Sequence, residues 1–129
     1  ESHVIKRIFN AWQSEGSGKG NFLDLGANIG TYTLAMASVM KNKHKVIAIE
    51  AMPPIADHVR AGIVANEADN VVLFPYAIGE PASANDLQMA YHPTNKGGSA
   101  VVGNKPWLRS AQKFSVGRTT LDSLMKMEP

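Results

Sequence analysis

The sequence contains no cysteine. That absence rules out a disulfide framework and every thiolate metal site, and it leaves the compartment open, because a thiol-free chain suits oxidising and reducing surroundings alike. Apolar runs are only a few residues long, far short of a bilayer crossing, and nothing at the start reads as a leader segment. The first residue is Glu1 rather than methionine, so the chain reads as an excised piece of a longer one. Charge of one sign is scarce as well. The formal net charge is +2 and the pI is near 9.0, too small an excess to point to nucleic acid or a membrane surface. The Lys41-Asn42-Lys43-His44-Lys45 cluster reads as a solvated connector. His3, His44, His58 and His92 have no ligand-like spacing, so they read as surface or packing residues and no metal site is expected.

What is present is the composition of one packed domain: 129 residues, 44% hydrophobic and 19% charged. No internal repeat or low-complexity tract interrupts it. Val4, Ile8 and Trp12, with Ile5 and Phe9 beside them, predict a helix over 2–13 capped by Ser2. Gly16 to Gly20 is a flexible link. Its Gly18-Lys19 pair is not a phosphate loop, because Gln13 stands where the first glycine belongs and Gly20 follows the lysine. Phe22, Leu23 and Leu25 predict a strand, Thr31 to Met40 a helix, and Val46 to Ile49 a strand. The unbroken apolarity of that last run is the pattern of a strand covered on both faces, as in parallel sheets. Pro53-Pro54 suits a helix entry, and Ile55, Val59 and Ile63 continue the helical spacing. Val71 to Phe74 is a third strand, and Pro75 puts it at a sheet edge. Met36, Met40, Met125 and Met127 read as core and tail residues.

Beyond Gly79 the period changes. Leu87 to Tyr91 alternates weakly, His92 to Ser99 is a polar loop, and Ala100 to Val102 is apolar again, which predicts an antiparallel excursion with a mobile tip. Lys113 to Thr119 reads as one short strand and Leu121 to Met127 as a helical turn.

The chemistry concentrates between Asp24 and Thr31. A dinucleotide fingerprint would need glycines where Gly26, Asn28 and Thr31 stand, and only the first matches. The alternative is a carboxylate at a strand end followed by Gly-x-x-x-Gly. Asp24 can hold a ligand ammonium, Gly26 allows close backbone approach, and the N–H groups near Gly30 and Thr31 can receive a carboxylate. Glu50, at the end of the second strand, can accept both hydroxyls of a ribose, with Ala51 and Met52 as an apolar wall for adenine. An amino acid at one anchor and a nucleoside at the other describes S-adenosylmethionine. The bland alternatives are a capping Asp24 and a solvated Glu50.

Four blocks carry a resemblance: Phe22-Leu23-Asp24-Leu25-Gly26-Ala27-Asn28-Ile29-Gly30, Val46-Ile47-Ala48-Ile49-Glu50, Tyr76-Ala77-Ile78-Gly79 and Thr120-Leu121-Asp122-Ser123-Leu124. In order and spacing they resemble the FkbM-type S-adenosylmethionine-dependent methyltransferases, from Asn21 to Leu124. The resemblance implies a Rossmann-like three-layer α/β fold. It also implies a cofactor site in which Asp24, Gly26, Ala27, Asn28, Gly30 and Thr31 line the methionine end, Glu50 holds the ribose, and Ala51, Met52, Ala77 and Ile78 lie near the adenine. The acceptor would be a small molecule, such as a sugar hydroxyl. The catalytic base stays unassigned, with Asp86, Tyr91, His92 and Ser99 as loop candidates.

In that family a fourth strand with an Ile-Lys-Ile-Asp-Val-Glu-Gly-like motif follows shortly after the last block, whereas this sequence stops at Pro129. The expectation is therefore a partial methyltransferase domain over 1–129: an N-terminal helix and linker (1–20), a βαβαβ cofactor-binding half (21–79), and an excursion and tail (80–129). It would be inactive alone, with the facing wall of the site missing. The open edge of strand one would be covered by a second copy, by the Lys113–Thr119 segment, or by a missing C-terminal half. The rival readings are a non-catalytic nucleoside-binding or assembly module and an NAD-dependent oxidoreductase.

Overall fold

The structure, a computed structural model, describes residues 2–80, 87–103 and 106–127. Helix α1 (Ser2–Ser14) leads into β1 (Phe22–Leu25), α2 (Thr31–Met40), β2 (Val46–Ile49), α3 (Pro53–Ala65) and β3 (Val71–Phe74). The three strands form a parallel sheet in the order β1-β2-β3, with Asp24 beside Ala48 and Ala48 beside Leu73. Central strand β2 is buried at all four positions, the outcome its unbroken apolarity predicts. β3 lies at an edge and ends before Pro75, whose missing N–H costs nothing there.

The helices are held to the sheet by apolar packing. Met36, Ala37, Met40 and Val46 form a buried cluster, against which Ile8, Phe9, Trp12, Phe22, Ala68 and Val71 pack. Trp12 joins α1 to the linker as well. Its indole N–H donates to the Gly20 carbonyl at 3.2 Å, and its ring meets His44 edge-on at 5.6 Å. Gly16 is required there, because a Cβ would stand 2.7 Å from the Trp12 carbonyl oxygen. α3 runs close beside α2, so that a Cβ on Gly62 would stand 3.0 Å from Leu34. The carbonyls at the end of α2 and in the turn after it are gathered by one side chain. Asn70 Nδ2 donates to Ala37 (3.1 Å), His44 (3.2 Å) and Lys41, in addition to the Lys41 N–H that Ala37 already accepts.

Three sequence expectations need correction. α1 already includes Ser2 as a helical residue rather than a cap. Lys113 to Thr119 is two strands instead of one, and neither joins β1. β7 (Lys113–Val116) pairs antiparallel with β5 (Leu87–Ala90), whose other side takes β6 (Ala100–Val101). β8 (Arg118–Thr119), on the far side of Gly117, pairs in parallel with β4 (Ala77–Ile78). The outer edge of β1 therefore carries no strand among the described residues. The chain closes with α4 (Leu121–Met127), anchored by buried Leu124.

Candidate functional site

The loop after β1 is stitched to the end of β2 by its own backbone. The N–H groups of Gly26 and Ala27 both donate to the Ile49 carbonyl at 2.9 Å, and Gly30 N–H donates to Ala27 at 2.8 Å. That path requires left-handed backbone at Gly26 (φ 79°), Asn28 (φ 51°) and Gly30 (φ 86°), which glycine adopts freely and asparagine better than most residues. α2 then starts with no side-chain cap on its first turn.

Two carboxylates are buried at the strand ends, Asp24 at 9% exposure and Glu50 at 8%. Burial of a charged group is costly unless it is hydrogen-bonded, and the two are satisfied differently. Asp24 Oδ2 accepts the Thr33 hydroxyl at 2.6 Å, a bond from the strand end to the first turn of α2. Glu50 accepts backbone N–H groups on both oxygens, from Asn28 to Oε2 and from Met52 to Oε1, each at 2.9 Å. The carboxylate is thereby fixed in orientation between the loop after β1 and the entry of α3. An ionised carboxylate offers about four lone-pair positions, so both Glu50 oxygens keep acceptor capacity.

Glu50 faces a cavity of about 510 Å³, within the usual range for small-molecule sites. Of the residues expected at the cofactor site, Gly26, Asn28, Glu50, Ala51, Ala77 and Ile78 line it. Asp24, Ala27, Gly30, Thr31 and Met52 do not. Met52 is fully buried, so its side chain belongs to the core and only its N–H serves Glu50, a correction to its expected place beside an adenine.

The excursion completes the cavity. Leu87 and Met89 of β5, Val101 of β6 and Gly97 and Ser99 of the intervening loop form its outer wall, with Tyr76 beside them. The tip closes directly on the loop after β1: a Cβ on Gly97 would stand 3.1 Å from Asn28 Nδ2. The expectation of a site with no facing wall in this chain thus needs revision on the Glu50 side. Leu87 and Met89 were legible as one face of an alternating strand, but nothing local showed what that face would meet. Tyr76 to Ile78 are held in place from behind, by Ala77 N–H to Gly117 at 2.8 Å and Gly79 N–H to Thr119 at 3.0 Å.

Among the loop candidates for a base, Asp86 lies outside the described residues and Ser99 lines the cavity. His92 Nδ1 is turned to its own loop, facing the Thr94 N–H at 3.4 Å. Burial, and then the negative charge of Glu50, push the Tyr91 phenol above its usual range, so at neutral pH it is a hydrogen-bond donor rather than a base. No group of three or more His, Asp or Glu side chains suited to a metal occurs among the described residues, and no helix there is long and apolar enough to cross a membrane.

No family model matches the chain, and no curated protein does. Several solved structures do. The YcgJ protein from Bacillus subtilis matches with a TM-score of 0.51 at 16% identity, over 67% of this chain and 34% of that one. A SAM-dependent methyltransferase from Aquifex aeolicus matches with a TM-score of 0.43 at 16% identity, over 67% and 52%. Coclaurine N-methyltransferase bound to N-methylheliamine and SAH matches with 0.48 at 20% identity, over 63% and 24%. The chain thus spans 24–52% of the length of these solved chains. The first likeness is one of fold, and with the parallel β1-β2-β3 sheet and its helices it makes this an α/β chain of Rossmann-like architecture.

Proposed function

We propose that the chain binds S-adenosylmethionine and forms the cofactor-binding portion of a methyltransferase of the FkbM type. The observation that carries this reading is Glu50: a buried carboxylate, oriented by a backbone N–H group on each oxygen, lining a cavity beside a glycine loop. Such an acceptor pair suits the vicinal hydroxyls of a ribose. Ala51, Ala77, Ile78, Leu87 and Met89 give the apolar walls that a purine needs. Gly26 and Asn28 carry the site toward the uncapped start of α2, where the resemblance puts the methionine end at Asp24, Gly30 and Thr31. Bound there, the cofactor supplies an electrophilic methyl group on sulfur. The chain's own part is to hold and orient it, since such transfers depend chiefly on alignment. The acceptor we assign is a hydroxyl of a sugar or another small molecule. The outer edge of β1, which carries no strand among the described residues, is where a following strand, or a second copy of this chain, would pair.

Calorimetry with S-adenosylmethionine and NAD tests the reading. Binding of the first alone is expected, with affinity falling at least about tenfold in Glu50→Ala. Preference for NAD would favour an oxidoreductase. Binding of neither would favour an assembly module.

A further inference from the structure

Asp24 and Glu50 are buried alike but satisfied unequally. Glu50 receives a backbone N–H on each oxygen. Asp24 receives one donor, the Thr33 hydroxyl on Oδ2 at 2.6 Å. Among the described residues no other group donates to Asp24 and no cation pairs with it. A carboxylate has about four acceptor positions, and a buried one left short of partners is costly. Thr33 is itself fully buried in the first turn of α2. A helical threonine commonly turns its hydroxyl back to a carbonyl three or four residues earlier. Here the Gly30 carbonyl is taken by the Leu34 N–H at 2.9 Å, and the hydroxyl crosses to the strand end instead. One short bond therefore ties β1 to α2 across the loop whose Gly26 and Asn28 line the cavity.

From this we infer that Thr33 is a positioning residue of the site: it holds Oδ2 of Asp24 and leaves Oδ1 as the acceptor for a ligand ammonium. The inference rests on the cofactor proposed above and deepens it, because selection for an α-amino group then runs through a hydroxyl that touches no ligand. The hydroxyl does two things. It fixes the carboxylate before the ligand arrives, so that less order is lost on binding. It also occupies one oxygen with a neutral donor, so the second is satisfied only by a group brought from outside. A hydroxyl that merely stapled β1 to α2 would favour no ligand over another.

The experiment is calorimetric titration with S-adenosylhomocysteine and with its deamino analogue, which keeps the nucleoside, sulfur and carboxylate and lacks only the ammonium. Wild type, Thr33→Val and Thr33→Ser are compared, with thermal melts of each. Wild type should bind S-adenosylhomocysteine at least about tenfold more tightly than the analogue. Thr33→Val, which keeps the branched shape and removes the donor, should weaken S-adenosylhomocysteine about tenfold and leave the analogue within about twofold. Thr33→Ser, which keeps the donor, should restore the preference. Asp24→Asn leaves α2 untouched, keeps an acceptor for Thr33 and turns the open oxygen into a donor, so it should abolish the preference even if Thr33→Val fails to fold. Equal loss for both ligands in Thr33→Val, or no loss for either, overturns the inference. A wild type that binds the two ligands equally, or an Asp24→Asn variant that keeps the preference, overturns it too and leaves the proposed cofactor standing. Binding of neither ligand, nor of S-adenosylmethionine, by wild type overturns both readings.

Discussion

The parallel sheet and the excursion make the two sides of one cavity by opposite means. In β2 every side chain is buried, and the strand is held by apolar contact on both faces. In β5 only Ala90 is buried, Gln88 is exposed, and the paired strand β6 leaves Val101 half exposed. The first region can hold a carboxylate still, because its backbone has nowhere else to go. The second can offer contact area, but its position depends on pairing with β7 and on the tip resting against Asn28. Rigid placement of Glu50 and lighter placement of the apolar wall are two packing solutions around one cavity.

The largest effect that separates the regions should come from truncating matched methionines. Met36, fully buried in the core cluster, should cost about 2–5 kcal/mol as Met36→Ala. Met89, half-buried in the excursion, should cost about 1 kcal/mol, both read from denaturant midpoints. Equal losses would erase the distinction. Hydrogen exchange should sharpen it next: amides of β2 should open only with the whole chain, and those of β5 and β6 through smaller openings. If the excursion were protected as strongly as β2, the two would be one cooperative unit.

A smaller difference lies in two glycines. Gly30 has φ 86°, and a Cβ there would meet Val59 at an ordinary 3.5 Å, so Gly30→Ala should cost about 1–2 kcal/mol from backbone strain alone. At Gly103 a Cβ meets nothing within 4 Å, and Gly103→Ala should change stability by less than about 0.5 kcal/mol. The smallest effect concerns Tyr91. Its phenol titrates higher in the folded chain than in the unfolded one, so its contribution to stability is complete below the ordinary tyrosine value of about 10 and is lost as the pH rises from there through the folded value. Thermal melts of wild type and Tyr91→Phe should diverge only in that alkaline window. Divergence at neutral pH would mean the hydroxyl acts through a hydrogen bond instead.

Much of the sheet half was legible because its signals are local. Val46 to Ile49 carries its burial in its own composition, Pro53-Pro54 marks a helix entry, and Gly26 and Gly30 announce backbone that few other residues adopt. The excursion was legible only as strands. Leu87 and Met89 shared a face in the alternation, yet the partner of that face is set by contacts with residues far along the chain. The split of Lys113 to Thr119 at Gly117 was missed for the same reason, since an unbroken β-pattern does not state that its two ends pair with different strands.

The sequence alone determined the βαβαβ order, the edge position of β3 and the residues of the glycine loop, because helical and strand periods, proline and glycine act over a few neighbouring residues. Tertiary structure decided the rest. It turned Met52 into the core while keeping its N–H for Glu50, gave Asp24 to Thr33, and laid the excursion against Asn28. Each of these outcomes depends on which distant group satisfies a buried polar atom or covers an apolar face, and that is settled only when the elements pack.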